Sequence, residues 1–80
     1  MEQQFIVLYS LAHDKYLVEK TTNPKKSFQR HVDGIGCIFT QLHPPYVILN
    51  TTQVNTQDEI EKLINIYIKQ YGKNNLYVYI

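Results

Sequence analysis

Between Thr56 and Gly72 the stretch "TQDEIEKLINIYIKQYG" places Ile60, Leu63, Ile64, Tyr67, Ile68 and Tyr71 on one helical stripe, at the i, i+3, i+4, i+7, i+8, i+11 spacing. Thr56 and Glu59 form a capping box before it, each side chain satisfying the other's free backbone N–H, and Gly72 closes it. Such a stripe has to be covered. In a chain of 80 residues there is room for one domain over positions 1–80 and none for a second, catalytic one.

The covering partner is predicted from the remaining apolar runs. "FIVLYSLA", Phe5 to Ala12, is apolar almost throughout and rich in β-branched and aromatic residues, as expected of a central strand buried on both faces. His13 and Asp14 make a short polar break, after which "KYLVEKT" returns as a second strand in a hairpin. Asn23 is a suitable N-cap and Pro24 a suitable first helical residue, so a helix is expected from Pro24 to about Val32, with Phe28 and Val32 on its buried side and Gly34 ending it. "IGCIFTQLHPP" reads as a short helix or a packed loop, and Tyr46 to Val54 as a third strand. Leu76, Val78 and Ile80 alternate with Tyr77 and Tyr79 in a strand-like tail. The expectation is a small α+β domain, an antiparallel sheet of three or more strands flanked by helices.

Composition narrows the setting. The chain is 44% hydrophobic and 19% charged with no low-complexity run, which fits a globular domain. One cysteine, Cys37, has no partner for a disulfide or a Cys-x-x-Cys metal motif, so an intracellular, reducing compartment is expected. "MEQQFIVLYSLA" lacks the basic start and the length of a signal peptide or membrane span. Net charge is +1, but it is unevenly spread: Lys15, Lys20, Lys25, Lys26 and Arg30 lie close in sequence with only Glu19 among them, while Asp58, Glu59 and Glu61 gather at the start of the later helix. Those acids are explained by the helix dipole alone.

"DKYLVEKT", "NPKKSFQRH", "GCIFTQLHPP" and "KQYG", in this order and spacing, resemble the GIY-YIG nuclease domain, above all the compact versions carried by large DNA viruses. The resemblance runs from Phe5 to Gly72. It implies a viral protein acting in the host cytoplasm or nucleus, and it implies chemistry by a phenol of lowered pKa, a helix arginine and a glutamate that holds Mg or Mn. Carried over by motif, the first tyrosine falls on Val7, or on Tyr9 after a two-residue slip. The second falls on Leu17, the following glycine on Glu19, the arginine on Ser27 and the metal glutamate on Ile66. None of the occupants Val7, Leu17, Ser27 or Ile66 can perform the role. His31 matches the family's histidine and His43 its "LHPP" segment; near a helix end and in a loop, both are also ordinary structural histidines.

The expected function is therefore a catalytically inactive GIY-YIG-like domain that binds nucleic acid without a cofactor, through Lys15, Lys20, Lys25, Lys26, Arg30 and His31. Two alternatives stand beside it. One is a protein-interaction or homodimerisation module using the charge-free tail Leu76, Tyr77, Val78, Tyr79 and Ile80, with Ile66 as further surface. The other is a residual metal-dependent DNA endonuclease with rewired residues.

Overall fold

The structure is a computed structural model that describes residues 2–80. Its centre is β1 (Gln4–Leu11), in which Ile6, Val7, Leu8 and Tyr9 are all buried, as expected of a strand covered on both faces. A single 3-10 turn, Ala12–Asp14, with His13 and Asp14 at positive φ, reverses the chain into β2 (Tyr16–Thr21), antiparallel to β1. Helix α1 (Pro24–Val32) follows, capped by Asn23, whose side chain accepts from the Lys26 N–H. Gly34, at φ +77°, turns the chain out of it. A five-residue helix, α2 (Ile38–Leu42), occupies the segment that reads as helix or loop. Then come β3 (Pro45–Val54), antiparallel to β1, α3 (Gln57–Tyr71) with the capping box in place, and β4 (Leu76–Tyr79).

The result is an α+β fold with four strands in the order β3-β1-β2-β4. β2 and β3 each run antiparallel to β1 between them, as expected, but β4 runs parallel to β2, so the sheet is mixed. The cause is α3: a helical crossover carries the chain back to the end from which β3 started, so that the next strand repeats its direction.

The two faces of the sheet are covered separately. On one, α3 lays Ile60 and Tyr67 over Ile6, Leu8, Val18, Val54 and Leu76, with Leu63, Ile64, Ile68 and Tyr71 around them. The stripe of α3 is thus buried as its spacing requires. On the other, Phe28 of α1 and Phe39 of α2 pack with Val7, Tyr9, Leu11 and Leu17. Here one expectation is corrected. Val32 is half exposed, and the side chain that α1 buries beside Phe28 is His31. The three-residue step from Phe28 to His31 wins over the four-residue step to Val32 because the interior beneath α1 offers His31 hydrogen-bond partners.

Candidate functional site

Those partners start on the strands. Tyr9 lies opposite Leu17 and Val7 opposite Glu19, so all four side chains point toward α1 and α2. The Tyr9 hydroxyl donates to Glu19 Oε1 at 2.8 Å, and His31 Nε2 meets the same oxygen at 3.2 Å. The other ring nitrogen, Nδ1, lies 2.8 Å from Thr40 Oγ1, and Thr40 in turn reaches the Cys37 carbonyl at 3.1 Å. Tyr9 is further held by Phe28, stacked at 5.9 Å, and by the edge of the His31 ring at 5.3 Å. Tyr9, His31 and Thr40 have at most 2% of their surface exposed and Glu19 only 9%.

Chemistry fixes most of the protons. With Glu19 ionised, His31 Nε2 carries a hydrogen and donates, because two acceptors would otherwise face each other. A neutral ring then accepts at Nδ1 from the Thr40 hydroxyl; a charged ring donates there, and Thr40 turns its hydrogen to the Cys37 carbonyl. That carbonyl already accepts from the Gln41 N–H, so it is satisfied in both cases. Burial raises the Tyr9 phenol far above its usual range, and its hydrogen bond to Glu19 and the carboxylate's charge raise it further. It stays protonated.

Above this network is a crevice of about 30 Å³ lined by Glu19, Ser27, Arg30, His31, Gly36 and Tyr79, room for about one water molecule. Gly36 is required there because a Cβ would collide with the His31 ring. Ser27 bonds Thr21 Oγ1 at 2.6 Å, which ties the first turn of α1 to the end of β2.

The positions carried over from the resemblance are not brought together. Val7, Leu17 and Ser27 lie on the α1 side of the sheet, whereas Ile66 stands on α3, across the sheet from them and 55% exposed. Glu19 is the carboxylate that lines the crevice with Ser27, and among the described residues no three His, Cys, Asp or Glu side chains converge. The residues present do not fit a divalent cation.

The predicted cations also separate. Lys25, Lys26 and Arg30 share the exposed side of α1. Lys20 points to the opposite face of the sheet, beside Val54 and Ile60. Lys15, roughly 16 Å from Lys20 along β2, donates to Asn75 Oδ1 at 3.3 Å. His31, grouped with them by sequence, is interior, so a direct contact to a phosphate is corrected to a place in the Glu19 network. His43 braces the turn as a loop histidine would: its Nδ1 lies 2.8 Å from His13 Nδ1 and its ring packs on Phe39. The tail keeps its place at an edge, with Leu76 buried and Tyr77, Val78, Tyr79 and Ile80 partly exposed.

Sequence reading missed the network itself. Its available signal was Glu19, a carboxylate two residues from Leu17 and so on the same face of a strand beside the central one. No family model, curated protein or solved structure matches this chain.

Proposed function

We propose that the chain is a non-catalytic nucleic-acid-binding domain on a GIY-YIG-like framework, and that it grips phosphate through α1. The observation that carries this reading is the first turn of α1. It holds Lys25 and Lys26 and no acid, at the end of a helix where the dipole is already positive. Arg30 follows one turn later. Among the described residues none of the three has an ion-pair partner. A helix start that stacks positive charge on a positive dipole gives up stability, and an anionic partner returns it.

The non-catalytic half of the reading is supported by Tyr9. Hydrolysis of the kind the resemblance implies needs a phenol of lowered pKa open to water; this one is sealed and pushed the other way. Glu19 fills the space beneath Arg30 and is held by Tyr9 and His31.

The test is fluorescence anisotropy of labelled duplex DNA over a range of salt. Three phosphate contacts predict a log–log slope of roughly −2 to −3, about −0.9 for each. Lys25→Glu with Lys26→Glu is expected to remove binding, while Lys15→Gln and Lys20→Gln leave it nearly unchanged because they lie elsewhere. Absence of binding at low salt, or equal losses from all four lysines, defeats the proposal.

A further inference from the structure

The two edges of the sheet are treated differently. On β3 the register slips twice against β1, which leaves Tyr46 and Leu49 as extra bulged residues, and Pro45 has no N–H to offer. Bulges and proline are devices that keep an edge from pairing. The β4 edge has neither. It pairs with β2 in unbroken register, and "LYVYI" contains no charge, no proline and no glycine.

The hydrogen-bond phase of β4 is fixed by one contact. The Tyr16 N–H donates to the Asn75 carbonyl at 2.8 Å, so Asn75, Tyr77 and Tyr79 direct their backbone groups to β2. By alternation Leu76 and Val78 direct theirs outward. No partner meets them on that side among the described residues. Beside the same edge, the Tyr79 hydroxyl contacts the Gly36 carbonyl and Tyr77 stacks on Phe39 at 4.8 Å. The residues next to these contact points, Ile35 and Ile38, are 64% and 71% exposed.

We propose that β4 pairs with β4 of a second copy of this chain, antiparallel, on a two-fold axis that passes between the two Val78 residues. The occupant follows from the strand's own chemistry. Val78 opposite Val78 is then a pair that exchanges both N–H···O=C bonds, using the outward groups. Tyr77 falls opposite the second copy's Tyr79 in the closer, non-hydrogen-bonded pairing, where aromatic side chains make good cross-strand contacts. A strand without charge meets itself without like-charge repulsion, which a partner of opposite charge would not exploit. The axis is perpendicular to the sheet, so an eight-stranded sheet, four strands from each copy, carries both α1 helices on one side. The inference stands apart from the nucleic-acid reading.

The experiment is sedimentation equilibrium of the full chain from low to high micromolar concentration. The expected result is twice the mass of one chain, unchanged in Lys25→Glu/Lys26→Glu. Val78→Pro, which removes an outward N–H and no bond to β2, is expected to halve the mass while circular dichroism stays native. If that variant does not fold, hydrogen exchange of the native chain decides: the Val78 amide is expected to be protected, and increasingly so with concentration. A single-chain mass at every concentration, a folded Val78→Pro dimer as tight as the native one, or a Val78 amide exchanging freely overturns the proposal.

Discussion

The two faces of β1 and β2 are built from alternating residues of the same strands, yet they are held in different ways. Under α3 the sheet presents Ile6, Leu8 and Val18, and the buried residues of that cluster are all apolar but for Tyr67, whose hydroxyl has no hydrogen-bond partner among the described residues. Under α1 it presents Tyr9 and Glu19, tied to His31 and Thr40. Apolar burial is strong and non-directional, so the α3 face tolerates small shifts. The α1 face is directional: each atom in the chain from Tyr9 to Thr40 needs its neighbour at the right distance, and a break leaves a buried polar group alone. Stability is shared by both faces; the exact seating of α1 and α2 rests on one.

The largest effects should come from cutting either face at its centre. Leu8→Ala on the α3 face is expected to cost about 2–5 kcal/mol by urea unfolding, through lost burial and a cavity. His31→Leu on the other face is expected to cost about 3 kcal/mol although it adds apolar surface, because the buried Glu19 loses the ring's hydrogen bond and keeps only that of the Tyr9 hydroxyl. The comparison sharpens with Tyr9→Phe, Glu19→Leu and His31→Leu made together. That triple variant should regain most of the single variant's loss, since no polar atom of the three remains to be satisfied. A triple variant as unstable as His31→Leu would mean that packing, not hydrogen bonding, sets the cost.

A pair of conservative changes separates the faces at the scale of one hydroxyl. Tyr9→Phe removes a donor to Glu19 and should destabilise by about 1–3 kcal/mol. Tyr67→Phe removes a hydroxyl that has no hydrogen-bond partner of acceptable geometry among the described residues, although Thr52 and Asn50 lie near it, and should be neutral or stabilising. Burial raises the Tyr67 phenol, against the smaller opposing effect of those two side chains.

Smaller still is the pH dependence at the rim of the α1 and α2 face. Desolvation, then the neighbouring His13 and Lys15, hold His43 below the usual imidazole value of 6.5. The folded state therefore takes up this proton less readily than the unfolded chain. Stability from the site is complete above pH 6.5 and declines as the pH falls from there toward the lowered value of His43. The His43 midpoint by NMR should lie below that of a free imidazole, and His43→Asn should flatten the acid side of a stability profile.

The smallest effect belongs to the two helix starts. α3 carries Asp58 and Glu59 in its first turn, with Glu59 held below the usual carboxylate range chiefly by the Asn55 N–H. α1 carries Lys25 and Lys26. Lys25→Glu and Lys26→Glu, which are expected to remove DNA binding, should raise stability by about 0.3–1 kcal/mol each at low salt. A change in both properties in the same direction would break the link between them.

Much of this molecule is local and was legible in its residues. The capping box of α3, its apolar stripe, the Asn23–Pro24 start of α1, the double-faced burial of β1 and the strand character of Tyr46–Val54 and the tail all follow from spacings of a few residues, because hydrogen-bonded caps and helical or pleated periodicity act over one or two turns. What the spacing left open was decided by contacts distant in sequence. The sequence cannot say which of His31 and Val32 turns inward, since both lie one turn from Phe28; Glu19 and Thr40, 12 and 9 residues away, decide it. Nor can alternation alone orient the last strand, because a four-residue run pairs equally well in either direction. The path of α3 across the sheet fixed β4 parallel to β2, and with it the edge that remains open. Local periodicity sets what each segment becomes, and closure of the chain on itself sets which of its groups are left facing out.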